Sequence, residues 1–216
     1  MRLYDSFGPN PRATRMFMAE KAITIPTTPI DVMNAENRRS PYIGRNPGGT
    51  LPALELDNGQ CIGETVAIWE YLEETHPTPP LIGTTPEERA ETRQWQRRIE
   101  LKISEFLYNA FRSAEGAALF KDRIRLIPEG VAGMKATVQD NLKWLNDLIE
   151  GKEWIVGERF TIADIILYSA LDFGASVGQV IDPSFARVNA WFKRVNARPS
   201  AEASLHPDAV QFGMKG

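Results

Sequence analysis

Cysteine is almost missing from this chain, and histidine nearly so. Cys61 is the only thiol, so no disulfide can close within the chain and a disulfide-stapled fold is excluded. The two histidines, His76 and His206, each precede a proline and share no ligand spacing with a second soft ligand, so no metal site is expected. Long apolar runs are lacking too: none reaches the roughly 20 residues needed to cross a bilayer. The opening Met1-Arg2-Leu3-Tyr4-Asp5 leads into polar, proline-rich sequence instead of the apolar stretch of a signal peptide. Nor does one sign of charge dominate. The 25 basic and 28 acidic residues leave a net charge of −3, which gives no long-range attraction for nucleic acid or an anionic membrane. Neither partner is expected, and the chain reads as cytoplasmic. Cys61 reads as a buried, inert thiol on a short strand, with a nucleophile as the alternative.

What is present suffices for a core. The chain has 216 residues, 43% of them apolar, which suits one large domain or two small ones. Arg2-Leu3-Tyr4 suggests a strand, followed by the loop Ser6-Phe7-Gly8-Pro9-Asn10-Pro11 and an amphipathic helix from Arg12 to Lys21. A second strand fits near Thr28 to Val32, and Asn34 to Asn46 reads as irregular. Ala53 to Leu56, the turn Asp57-Asn58-Gly59 and Cys61-Ile62 then make a hairpin. The helix after Glu64 follows, with Val66, Ile68, Trp69 and Leu72 on one face. The pattern is βαβ then ββα, an α/β domain over residues 1–76.

Residues 77–85, rich in proline, read as a linker, and long helices fill residues 86–216. Trp95, Ile99, Ile103, Phe106 and Ala110 align along the first, and Leu142, Leu145, Leu148 and Ile149 mark another. Thr161-Ile162-Ala163-Asp164 has capping-box spacing before an unusually apolar helix. Val188, Trp191, Phe192 and Val195 mark the last one.

Thr50-Leu51-Pro52-Ala53-Leu54 carries the chemistry. A proline entering a strand removes a donor and fixes its own φ, and a cis bond after Leu51 would present backbone groups to an extended, peptide-like ligand. Thr65, with the free amides of a helix start, could hold a carboxylate, and Glu64 an ammonium. The competing reading is an ordinary helix cap beside a solvated glutamate.

Together these residues resemble a cytosolic glutathione transferase over nearly the whole chain. The resemblance joins Leu3-Tyr4-Asp5, the helix from Arg15 to Lys21, Leu51-Pro52, Glu64-Thr65, and Trp154-Ile155-Val156-Gly157-Glu158 ahead of Phe160 to Asp164. It is closest to atypical theta-like or nu-like bacterial and fungal members. The resemblance implies a thioredoxin-like α/β domain followed by an all-α domain, with glutathione as cosubstrate and no metal. It assigns Leu51 and Pro52 to the cysteinyl part of glutathione, Glu64 and Thr65 to the γ-glutamyl end, and Arg38 or Arg39 to the glycyl carboxylate. The arginine pair also reads as a solvated charge cluster.

For thiol activation, Asn10 resembles the thiolate-contacting asparagine of nu-like members. Ser6 lies nearby, and Gly8 stands where several members carry a hydroxyl residue. Asn10, loop amides near Gly8 and Ser6 are expected to stabilise the thiolate, unless Asn10 and Ser6 only hold their own loop. Phe7, Tyr108, Phe111 and Arg112 are the candidates for the acceptor pocket, which the family builds between its domains; the aromatic pair also fits a core stripe. The implied reaction is attack of glutathione on a small hydrophobic electrophile or a peroxide. A glutathione-dependent hydroperoxide or disulfide reductase is one alternative, and a noncatalytic glutathione-binding or protein-interaction module another. The family also implies a homodimer, to which Arg93, Arg97 and Glu100 could contribute.

Overall fold

The computed structural model describes residues 1–216, apart from the Phe212 side chain. It divides into two compact units, one of residues 1–80 with 199–216 and one of residues 81–198.

In the first unit, β1 (Arg2–Asp5), α1 (Pro9–Glu20) and β2 (Thr27–Pro29) form the βαβ element. A 3₁₀ turn (Glu36–Arg38) and the short α2 (Tyr42–Arg45) lead to the hairpin β3 (Ala53–Glu55) and β4 (Cys61–Gly63), and α3 (Thr65–Thr75) closes the ββα element. The sheet order is β2-β1-β3-β4, with β1 parallel to β2 and the other pairs antiparallel. This is the thioredoxin-like arrangement that the resemblance implies. Leu3, Phe17, Met16, Leu54, Ile68, Trp69 and Leu72 fill its core, and the Phe17 and Trp69 rings stack at 5.2 Å.

Three local expectations change. The segment from Asn34 to Asn46 is not irregular throughout, because Tyr42 is buried and anchors α2. The helix begins at Pro9, before Arg12; proline is favoured at a first helical position, where its missing N–H has no partner to lose. The second strand ends at Pro29, short of Val32.

In the second unit, α4 (Pro86–Ile99) runs through a π-helical turn (Glu100–Ser104) into α5 (Glu105–Ser113). The wider turn re-phases the buried stripe: Leu107 is fully buried, while Phe106 is 36% exposed. Helices α6 (Ala117–Phe120), α7 (Val131–Leu148), α8 (Ile162–Ser176) and α9 (Ala186–Asn196) follow. The expected capping box is formed at the start of α8. Thr161 accepts from the Ala163 amide at 3.3 Å, and Asp164 accepts from the Thr161 amide at 2.9 Å. Leu81 and Ile82, read as linker, are buried members of this unit, and the Leu81 carbonyl accepts from the Ile162 amide at 3.0 Å.

The C-terminal segment, expected with the helices, packs instead in the first unit as α10 (Pro199–Ala203) and α11 (Ala209–Phe212). The cause is an arginine pair on α1. Buried Arg12 donates to the Ala201 carbonyl at 3.3 Å, and Arg15 donates to the carbonyls of Ser204 and Gly216, both at 2.8 Å.

Candidate functional site

Strand register builds the site. Ala53 pairs with Tyr4 on one side and with Gly63 on the other. One step beyond that row, β1 runs out into the Ser6–Asn10 loop, β3 is entered from Pro52, and β4 exits into Glu64 and Thr65. The Leu51–Pro52 peptide is cis. The amide and carbonyl of Leu51 have no hydrogen-bond partner among the described residues, so the edge beside the cis bond is available to an extended ligand.

Three side chains that the sequence did not single out hold this turn. Asn37 donates to the Gly49 carbonyl at 2.6 Å, while Tyr42 and Asn46 both donate to the Thr50 carbonyl, at 2.5 and 2.9 Å. Burial pushes the Tyr42 hydroxyl up to about 12, with Asn46 opposing, so it stays a protonated donor at neutral pH. Gly49 permits this closeness. Its φ is +58°, and a Cβ there would lie 3.0 Å from Cδ of Arg38 and 3.1 Å from the Asn37 carbonyl. The signal for these residues was weak, since side-chain bonds to backbone carbonyls leave no periodic pattern.

The two arginines differ. Arg39 donates to the Asn34 carbonyl. Arg38 lies against Gly49, next to the cis turn, and its guanidinium has no partner among the described residues. Glu64 is exposed and precedes α3 with φ +65°, a backbone conformation that costs a non-glycine residue about 1–3 kcal/mol and clusters at ligand sites. Thr65 is the first residue of α3, which has no side-chain cap and no proline in its first turn. Its leading amides therefore remain donors for an anion.

The first loop separates its two candidates. Ser6 is 5% exposed, and its hydroxyl donates to the Ile30 carbonyl at 2.5 Å. Its proton is directed at that carbonyl, which favours the alternative in which Ser6 holds its own loop. Asn10, at the second position of α1, is exposed and has no side-chain partner among the described residues. Prolines at 9 and 11 remove two of the initial donors of α1, so Asn10 supplies both the side chain and the one free amide of that first turn. Gly8 has φ +143°, which explains why no hydroxyl residue stands there: an L side chain rarely adopts that conformation.

Phe7 lines a cavity of about 590 Å³ together with Ser6, Ile30, Val32, Met33 and His206. Tyr108, Phe111 and Arg112 form a separate cluster in the second unit. Phe173 meets Tyr108 and Phe111 edge-on at 6.2 and 4.9 Å, and the Arg112 guanidinium lies 5.9 Å from the Tyr108 ring. Tyr108 is buried, and burial raises its hydroxyl far above the ordinary range, which favours the core-stripe reading of this residue. Cys61 is half-buried, and burial raises its thiol, with Glu55 adding and Arg45 opposing, as befits an inert thiol. Among the described residues no cluster of histidine, cysteine or carboxylate side chains is able to hold a metal.

The family signature "Glutathione S-transferase, N-terminal domain" matches residues 7–75, and "Glutathione S-transferase, C-terminal domain" matches residues 133–199. A crystal structure of a glutathione S-transferase domain-containing protein from Marinobacter aquaeolei VT8 is 35% identical, with a TM-score of 0.87, over 93% of this chain and 99% of that one. The chain belongs to the glutathione S-transferase family. Gtt2 from Saccharomyces cerevisiae superposes with a TM-score of 0.89 at 27% identity, over 95% of this chain and 100% of that one. Glutathione S-transferase 2 of the same yeast is 27% identical over 208 residues, 95% of this chain and 89% of its own length. As a glutathione S-transferase, the protein is a glutathione-dependent transferase, with glutathione as its cosubstrate.

Proposed function

We propose that glutathione lies along the Leu51–Pro52 edge, and that its thiolate, stabilised by Asn10, attacks a small hydrophobic electrophile. The observation that carries this reading is the Tyr4–Ala53–Gly63 row, which sets the first loop, the cis turn and the start of α3 side by side. In the proposed pose the Leu51 backbone pairs with the cysteinyl residue. The amides at Thr65 take the γ-glutamyl carboxylate, and Glu64 takes the ammonium. Arg38 reaches the glycyl carboxylate, because Arg39 is engaged with Asn34.

Asn10 then acts by hydrogen bonding to sulfur, not by removing its proton. A cysteine thiol begins near pKa ~8.5, and each unit of depression corresponds to about 1.4 kcal/mol in favour of thiolate. The positive end of α1 adds to this stabilisation. We place the protein among the theta-like or nu-like members on Asn10, and read it as a cytoplasmic homodimer on the family resemblance. No helix among the described residues is long and apolar enough to cross a membrane.

The test is ultraviolet difference absorbance of the bound thiolate as a function of pH, with turnover of an aryl halide, an unsaturated ketone and an organic hydroperoxide on the same preparation. A bound thiol that titrates below free glutathione, with faster turnover of the two alkylating acceptors, supports the transferase reading. An unshifted thiol points to a binding module, and hydroperoxide as the fastest acceptor points to a peroxidase.

A further inference from the structure

We propose that His206 sets acceptor specificity, its Nε2–H donating a hydrogen bond to an oxygen of a small, neutral electrophile held in the cavity beside Phe7. The chemical class is an α,β-unsaturated ketone or aldehyde. This proposal rests on the transferase reading given above and adds to it the acceptor class and the residue that recognises it.

The imidazole is held in one orientation. Its ring meets that of Phe7 edge-on, with 5.9 Å between centroids. Nδ1 accepts from the Asp208 amide at 3.2 Å, so the neutral ring carries its proton on Nε2. Burial, followed by the charge of Arg15, lowers the His206 pKa, with Asp208 and Asp5 opposing, which favours the neutral ring. Nε2 has no partner among the described residues. An uncharged donor thus stands in a cavity of about 590 Å³ whose walls include Phe7, Ile30, Val32 and Met33.

The rest of the lining argues for a neutral ligand. Neither lysine nor arginine lines the cavity, whereas Asp31, Glu36 and Asp208 do. Two of these carboxylates are engaged locally: Asp31 accepts from the Asn34 amide and side chain at 2.9 and 2.6 Å, and Glu36 accepts from the Asp31 amide at 2.7 Å. Their charge still repels an anionic acceptor. The segment carrying His206 is fixed to the first loop by Arg15, which binds Asp5 and the Ser6 carbonyl on one side and the Ser204 and Gly216 carbonyls on the other. The donor is therefore tied to the loop that carries Asn10.

The chemistry uses that donor where charge develops. Thiolate sulfur adds to the β-carbon, the carbon–carbon π pair shifts, and negative charge gathers on the carbonyl oxygen. Solvent then supplies a proton to the α-carbon, and no group leaves. Loss of a donor aimed at such an oxygen costs about 10²–10³ in rate at well-enclosed sites; roughly tenfold is expected in this open cavity.

The test compares the full-length protein with His206→Ala and His206→Gln, using an unsaturated ketone and, as a control without oxygen, benzyl chloride. Alanine should lower kcat/KM for the ketone about tenfold more than for benzyl chloride. Glutamine, which retains a donor, should recover most of the loss. Equal losses on both acceptors, no loss on the ketone, or glutamine no better than alanine would overturn the assignment. Calorimetric titration with glutathione and with a saturated, unreactive ketone keeps the two readings separate. If glutathione binds but neither acceptor reacts, the transferase reading fails. Ketone binding that weakens at least fivefold in the alanine variant would still support His206, and unchanged or undetectable ketone binding would refute it.

Discussion

Asn46 donates its side-chain amide to the carbonyl of Thr50, one residue before the cis Leu51–Pro52 step. The same amide lies 3.4 Å from the Tyr42 hydroxyl, and Oδ1 of Asn46 accepts from the Gly48 amide at 3.3 Å. Asn46 is therefore the post on which the cis turn is mounted, and on the proposed binding pose its replacement should affect stability and binding together. Asn46→Ala leaves the Thr50 carbonyl with Tyr42 alone and should cost about 1–3 kcal/mol of unfolding free energy, with weaker glutathione binding. Urea unfolding and calorimetric titration measure the two effects. A loss of stability with unchanged affinity would detach Asn46 from the site.

Asn10 and Ser6 should separate by their effects. Asn10→Ala should raise the pKa seen in the pH dependence of kcat/KM for a single acceptor, with unfolding within about 0.5 kcal/mol of the parent. Ser6→Ala removes the bond to the Ile30 carbonyl and should lower stability by about 1 kcal/mol without moving that profile. An unchanged profile in the Asn10 variant would end its assignment to the thiolate.

For the arginines, Arg38→Ala should raise the Kd for glutathione about tenfold, in line with a charge-assisted bond to a carboxylate. Arg39→Ala should change it less than about twofold, since Arg39 is engaged with the Asn34 carbonyl. The dipeptide γ-glutamylcysteine, which lacks the glycyl carboxylate, should bind the parent and Arg38→Ala alike. If the Arg39 variant shows the larger loss, the assignment is reversed.

Asp164 gives a pH-dependent prediction. Burial pushes its carboxyl from 3.8 up to about 6, opposed by donors from Ile155, Trp191 and Thr161. The folded state thus holds this proton more tightly than the unfolded chain does. The stability it contributes is complete below the unfolded value and is lost as pH rises through about 6. The difference in unfolding free energy between the parent and Asp164→Asn should shrink from about pH 4 to pH 7. Urea unfolding across that range tests the sign, and a difference that grows with pH contradicts it.

Much of the frame was legible because its signals are local. The turn at Asp57-Asn58-Gly59 announces the hairpin, Pro52 at the head of β3 announces a backbone device, and Thr161 with Asp164 announces a helix start. The support of the site was not legible. Asn37, Tyr42 and Asn46 lie in a polar stretch with no period, and their acceptors are backbone carbonyls that any sequence supplies. The placement of residues 199–216 was hidden for the same reason, since Arg12 and Arg15 secure that segment largely through the carbonyls of Ala201, Ser204 and Gly216. The exchange of Phe106 for Leu107 in the buried stripe has another origin. A period of 3.6 residues fails at a π-helical turn, and nothing in the apolar pattern marks where that turn falls.

The most direct measurement of the central claim is calorimetric titration of the folded protein with reduced glutathione near neutral pH, repeated on Glu64→Gln. The account predicts saturable binding of one glutathione per chain at millimolar or tighter affinity, weakened about tenfold in the variant as the charged partner of the ammonium is lost. No detectable binding by a folded protein, or equal affinity in both proteins, would contradict the clamp formed by Leu51, Glu64 and Thr65.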